Sequence, residues 1–347
     1  MPIVDACQFR LRRLLTPLAL RAHSFYMYVV LVQSISEYVL LPVYTKISLA
    51  ECALNLKSNV MKKQRRFIQC DVFTPQPTKG NALAVVLDAQ GFSEEAMRHF
   101  AAWTNLAETT FLFPPETEDG DYRVRILTPT REMPFAGHPT LGSCAAWLHA
   151  GGKPRQHGIV RQECGVGTVE INTGKPVPAF FAPPTAISEM PAKKFTELTT
   201  KLGVNPDHVV RYSVLNNGPE WHAFELQSAA QVLAVDSSTV RWPAEKAIGL
   251  IGPHVEGSEC DFEVRMLAPS SGMIEDPITG LLNSALAHWR LHNNELNEDL
   301  LIAQGTSINR KGRVYISRGS DEQGSDKQPD VFIGGETHIL VEGTVYL

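Results

Sequence analysis

From residue 66 onward, apolar and polar positions alternate in short runs broken by turn residues. "RFIQCDVF" (66–73) alternates with period two and predicts a strand. "KGNALAVVLDA" (79–89) adds a Gly-Asn turn and a second strand. "GFSEEAMRHFAAWTNLA" (91–107) then switches period: Met97, Phe100, Ala101 and Thr104 recur at helical spacing. Ser93 stands where an N-cap belongs, and Glu94 and Glu95 fill the first turn, where the helix dipole favours acids. "ETTFLFPP" (108–115) and "YRVRILTP" (122–129) read as strands, and "HPTLGSCAAWLHAGG" (138–152) as a helix closed by glycine. Strands follow in "QECGVGTVEIN" and "PAFFAPPT".

The order then recurs. "MPAKKFTELTTKLGV" (190–204) predicts a helix, and "HVVRYSVLNNGPEWHAFEL" (208–226) two strands around an Asn-Gly turn. "CDFEVRMLAP" (260–269) is a strand, followed by a long helix in "DPITGLLNSALAHWRLHNN" (276–294). The C-terminal part is strand-rich, with a polar loop expected at 320–330. Two strings recur with the order: "VRILTP" (124–129) with "VRMLAP" (264–269), and "HPTLG" (138–142) with "DPITG" (276–280). Both long helices are small or apolar around most of their circumference, which predicts burial. The implied architecture is α+β: two pseudo-symmetric halves, each a curled β-sheet around a central helix. The halves are expected at 61–182, joined by the last strand (338–347), and at 183–337.

The doubled string carries candidate chemistry. A residue before proline avoids the α region, and proline suits the first helical turn. His138 and Asp276 are therefore each expected at the N-cap of a helix, whose free amides carry partial positive charge and suit an anion. Asp-Pro is also a common structural cap, so the aspartate alone would mean little. Glu108, in "NLAETTFL", stands between helix and strand among apolar neighbours. Burial there would raise its pKa toward neutrality, as a group that takes and returns a proton requires. A solvated glutamate at a strand entrance is the other reading of the same residues.

Composition narrows the class. The chain has 347 residues, a net charge of −5 and 44% hydrophobic content. No basic field advertises a nucleic-acid partner. The six cysteines are scattered, without a CxxC pair, which predicts reduced core thiols in a cytoplasmic protein. Residues 1–60 differ from the rest, with six basic residues against three acidic ones and an interrupted apolar run at 25–32. They read as an extension outside the folded unit, either without function or a weak anchor or targeting segment. Met61 resembles a natural start. No membrane association is expected for 61–347. No string matching a phosphate-binding loop, a dinucleotide fingerprint or HExxH occurs, and the histidines show no metal-ligand spacing.

"CDVFTPQPTKGNALAVVLDA", "WTNLAETTFLF", "RILTPTREMPFAGHPTLG", "NNGPEWHAF" and "RMLAPSSGMIEDPITG" together resemble the PhzF family of phenazine-biosynthesis isomerase-like proteins. The resemblance runs from about residue 65 to the C-terminus. It implies a diaminopimelate epimerase-like fold, a homodimer, a small carboxylate-bearing substrate in a cleft between the halves, and no cofactor or metal. It assigns acid–base catalysis to Glu108, with His138 and Asp276 beside it. It also implies substrate contacts from Gly80, Asn81, Gly137, Thr279 and Gly280. Where the family usually has a small or polar residue after Thr-Gly, this chain has Leu281 and Leu282. Two other readings follow: an epimerase using His138 and Asp276 as its two bases, or a metabolite-binding relative without catalysis.

Overall fold

The computed structural model describes residues 63–270, 272–319 and 330–347. The expectations for residues 1–60, and for the loop at 320–330 apart from Asp330, lie outside the described residues. Lys63–Leu347 form one compact unit.

The first half runs β1 (Gln64–Val72), β2 (Asn81–Val86), α1 (Glu94–Thr104), β3 (Glu108–Phe113), β4 (Tyr122–Leu127), β5 (Glu132–Met133), α2 (Gly137–His149), β6 (Ile159–Cys164), β7 (Gly167–Asn172) and β8 (Ala179–Phe181). The second begins with β9 (Ala186–Ser188) and α3 (Ala192–Leu202). It continues with β10 (Val209–Asn216), β11 (Glu220–Leu226), α4 (Ala229–Ala234), β12 (Ile248–Pro253), β13 (Phe262–Leu267), β14 (Glu275–Asp276), α5 (Gly280–His292), β15 (Leu300–Gln304), β16 (Gly312–Arg318) and β17 (Val331–Gly334). The closing strand β18 (Thr337–Tyr346) returns to lie along β1.

Pairing repeats strand for strand. β1–β2, β3–β4, β4–β5, β6–β7 and β7–β8 are antiparallel, while β2–β3 and β4–β6 are parallel. β10 through β17 repeat that sequence of directions. β9 lies along β10 as β18 lies along β1, and β8–β17 joins the halves.

Local sequence explains the elements that position the centre. Ser93 caps α1 by accepting from the Ala96 amide, as expected. Asn105 then turns the chain through a left-handed conformation, φ 54°, so that β3 opens at Glu108. α2 and α5 are the buried helices around which the two sheets curl. Small residues make the close wrapping of α2 possible: a Cβ on Gly142 would lie 2.6 Å from Leu83 and 2.9 Å from Val72. One apolar core runs through both halves, with smaller cores under α1 and under α3 and α4. Among the described residues no helix is long and apolar enough to cross a membrane.

The two helix starts differ from the sequence expectation. α2 begins at Gly137, so His138 is its second residue and Ala136 its N-cap. Pro139 is tolerated there because the first amides of a helix have no intrahelical acceptor to lose. α5 begins only at Gly280, with Thr279 as N-cap, and Asp276 lies in β14 opposite Met266. The copies therefore align as "EMPFAG" (132–137) with "EDPITG" (275–280), five residues from the "HPTLG"/"DPITG" frame. β4 and β13 confirm this alignment, since Leu127 pairs with Glu132 as Leu267 pairs with Glu275. Arg125 bonds Glu132 through Nε at 2.7 Å, and Arg265 bonds Glu275 through Nε at 3.1 Å. His138 thus has Leu281 as its counterpart, and Asp276 has Met133.

Candidate active site

α2 and α5 meet end to end. A Cβ on Gly137 would stand 2.9 Å from the Gly280 Cα, and one on Gly280 would stand 3.0 Å from the Gly137 Cα. Only glycine permits that approach. Neither helix has a side-chain cap. Two positive helix ends therefore converge on one place, a setting that favours an anion.

A cavity of about 340 Å³ opens there, lined by Glu108, His138, Asp276, Gly137, Thr279 and Gly280 among others. Six of the sequence-derived candidates thus line one cavity. Glu108 enters from the start of β3, in register with Leu83. Its side chain is 16% exposed, and its Oε2 lies 3.4 Å from His138 Nδ1.

Asn81, at the start of β2, ties the rest together from beneath. Its Nδ2 donates to Asp276 Oδ1 at 3.2 Å and to the Ile278 carbonyl at 3.0 Å, and lies 3.4 Å from His138 Nδ1. Thr279 spends its hydroxyl on Asp276 Oδ2. Gln304 Nε2 donates to Thr279 Oγ1 at 3.1 Å, and its Oε1 accepts from the Thr279 amide at 3.1 Å.

Two of the expected substrate contacts are placed differently. Gly80 and Asn81 do not line the cavity. The Gly80 amide donates to Asp71 Oδ2 at 3.0 Å, and a Cβ there would collide with the Val72 carbonyl, so its work is in the β1–β2 turn. Asn81 is buried, with its amide nitrogen on Asp276 Oδ1 and the Ile278 carbonyl.

Protonation follows from burial. Desolvation lowers the His138 pKa to about 3, only partly opposed by a backbone hydrogen bond with Ala82. His138 is therefore a neutral imidazole, and its contact with Glu108 is not an ion pair. Desolvation raises the Glu108 pKa; the Asp276 charge adds to this and Arg131 opposes it. The Asp276 pKa is raised by burial too, with the Thr279 and Asn81 hydrogen bonds working against the shift. The arrangement pairs a carboxyl poised to exchange a proton with a neutral histidine and a carboxylate held by hydrogen bonds.

The sequence reading missed the cations. Arg131 and Lys246 line the same cavity, and Arg131 donates to Ser270 Oγ at 2.9 Å, bridging the loop after β4 and the loop after β13. A signal was present: once "VRILTPTRE" and "VRMLAPSSGMIE" are aligned, Arg131 has no basic counterpart in the second copy. Leu281 lines the cavity, but Leu282 is fully buried and packs over Gly249.

Residues 70–343 match the family model described as phenazine biosynthesis-like protein, PhzC-PhzF. A Schizosaccharomyces pombe protein named antisense-enhancing sequence 1 is 32% identical over 297 residues, covering 82% of this chain and 99% of that protein. The trans-2,3-dihydro-3-hydroxyanthranilate isomerase of Pseudomonas aeruginosa is 31% identical over 291 residues, covering 81% of this chain and 99% of the enzyme. Among solved structures, a PhzF-family protein of Bacillus anthracis superposes with a TM-score of 0.70 at 21% identity, covering 82% of this chain and 100% of its own. A hydroxyproline epimerase of Agrobacterium vitis shares the fold with a TM-score of 0.57 at 11% identity, covering 82% of this chain and 93% of its own.

Proposed function

The chain belongs to the phenazine biosynthesis-like PhzC-PhzF family, and from that premise we propose that it is a cofactor-independent isomerase moving a proton between carbons of a small organic acid. The observation that carries this reading is Glu108: a buried carboxyl with a raised pKa, facing His138 and Asp276 in a cavity where two helix N-termini converge.

Ionised Glu108 takes a proton from a carbon next to an electron-withdrawing group, and the electron pair passes into the conjugated system. The charge that develops is met by the amide ends of α2 and α5 and by Arg131 and Lys246. Glu108 then returns the proton to a different carbon, and the double bond has moved. Neutral His138 keeps the shuttle compact without competing for the proton. Asp276, fixed by Asn81 and Thr279, orients the substrate.

The two-base epimerase reading is less well supported. His138 Nδ1 and Asp276 Oδ1 lie 3.4 and 3.2 Å from the one Asn81 amide nitrogen, so both are tied to a common protein group. An epimerase needs its acid and base on opposite faces of a carbon. The positions that would complete a symmetric pair hold Met133 and Leu281.

The test is deuterium incorporation in D₂O, followed by NMR, on trans-2,3-dihydro-3-hydroxyanthranilate (the substrate named for the Pseudomonas relative) and on other small carbon acids. Wild-type protein incorporates deuterium, and Glu108→Gln loses about 10²–10⁴-fold of that rate. Incorporation at an undiminished rate by Glu108→Gln would remove Glu108 from the reaction.

A further inference from the structure

Beside the catalytic cavity lies a larger one of about 610 Å³. The two share Arg131, Met133, Gly218, Pro219 and Leu281 as walls. Beyond that junction the second cavity changes character. Val169, Phe181, Pro183 and Pro184 line it, and Val166 at its edge is 59% exposed. Phe181 is 41% exposed in the same concavity. Its one carboxylate, Glu170, is bonded to Arg161 at 2.9 Å. A concave, mostly apolar space of this size is the usual form of a small-molecule site.

Leu281 stands at the junction and sets its chemistry. It occupies the helix position that His138 occupies in the other half, so one copy presents a ring nitrogen to the centre and the other an isobutyl group. Its main chain is held firmly: Asn217 Nδ2 donates to the Leu281 carbonyl at 2.9 Å, and Trp221 Nε1 donates to Asn217 Oδ1 at 2.9 Å. The Asn-Gly turn and the start of α5 thus form one fixed rim.

We propose that the two cavities are a single bipartite substrate site, and that the substrate is an amphipathic acid. Its carboxylate lies by Arg131 and Lys246, its reacting carbons by Glu108. A bulky apolar substituent, aryl or branched alkyl, passes Leu281 into the second cavity. This names the substrate class of the isomerase reading above and rests on it.

The experiment compares but-3-enoate with 4-phenylbut-3-enoate. In both, the reaction breaks a C–H bond at C2, forms one at C4 and shifts the double bond to C2–C3; nothing else is consumed. Binding is read by titration calorimetry and deuterium incorporation by NMR, on the full chain. Thr168→Trp and Val166→Trp each fill the second cavity from an exposed position, and circular dichroism checks their folding. The wild type binds the phenyl compound at least about tenfold more tightly, from burial of the ring, and both variants bring that ratio toward one. Equal binding of the two acids, binding of neither, or a preference that survives both substitutions would overturn the bipartite site. A phenyl preference that collapses in the variants, with no deuterium incorporated by the wild type into either acid or into trans-2,3-dihydro-3-hydroxyanthranilate, would instead uphold the site and overturn the isomerase reading.

Discussion

At Glu108 and His138, burial acts on two groups of opposite charge type, and stability carries the mark of both. Glu108 has its pKa raised above the ordinary 4.5. Between that value and the raised one, the native state keeps a proton that the unfolded chain has released, so stability falls as pH rises through the interval. His138 has its pKa lowered from 6.5 to about 3. Between those values the unfolded chain holds a proton that the native state refuses, so stability falls as pH falls. Urea unfolding at a series of pH values should show Glu108→Gln flattening the alkaline side and His138→Asn the acid side. The flattening by Glu108→Gln is partial, because burial also raises Glu263 to about 7. Activity runs the other way on the alkaline side: kcat/KM should increase with pH as Glu108 ionises, through a range above that of an exposed glutamate. At this scale the residues alone left Glu108 between a buried and a solvated reading, and the family resemblance singled it out. The resemblance pointed to Asn81 as a substrate contact, but its bond to Asp276, 195 residues away, arises only when β2 is brought against it.

At the scale of elements, the glycine contact between α2 and α5 is the most demanding feature. Gly137→Ala or Gly280→Ala must push the two helix starts apart or strain them. Each is expected to cost about 1–3 kcal/mol, the range for overpacked positions. Each should also reduce catalysis at least tenfold, since the same shift moves the amides that receive the anion. Thermal unfolding and the deuterium assay on the same preparations separate the two effects. Serine or alanine at Leu282 would instead test packing against Gly249. The duplication was legible in the sequence, but its register was not. The first copy contains P-x-x-G twice, at 134–137 and 139–142, and the second copy fits either. Glu132 and Glu275 decide between the frames, and they signify only once each is seen paired with its arginine. The misread frame placed a histidine opposite an aspartate; the true one places each opposite an apolar side chain.

Over the whole folded unit, the main core contains residues of both halves, from Ile68 and Leu141 to Leu282 and Ile316. Neither half closes its own sheet: β8 needs β17 as a neighbour, and β1 is flanked by β18 from the far end of the chain. Urea unfolding should therefore be a single transition, with tryptophan fluorescence and far-UV circular dichroism coinciding. Two separated transitions would show halves that fold alone. The doubled topology was readable from the order of predicted elements. The coupling between halves was not, because nothing local in the sequence says which strands meet.

One consequence of the duplication remains in its two arginine–glutamate clamps. Arg125–Glu132 and Arg265–Glu275 occupy the same place in the same local topology. Yet the first pair is 24% and 32% exposed by side chain, and the second 2% and 1%. The buried arginine also donates to the carbonyls of Val232 and Val235 at the end of α4, where its copy has no such duty. The molecule thus holds the same arginine–glutamate pair, in the same local topology, in two settings: one open to solvent with Glu94 Oε2 3.5 Å from the arginine, the other sealed from it. Arg125→Met should cost about 0.2–1 kcal/mol and Arg265→Met about 3–5 kcal/mol by chemical denaturation. The gap between those two numbers would measure burial together with the backbone carbonyls that only Arg265 serves.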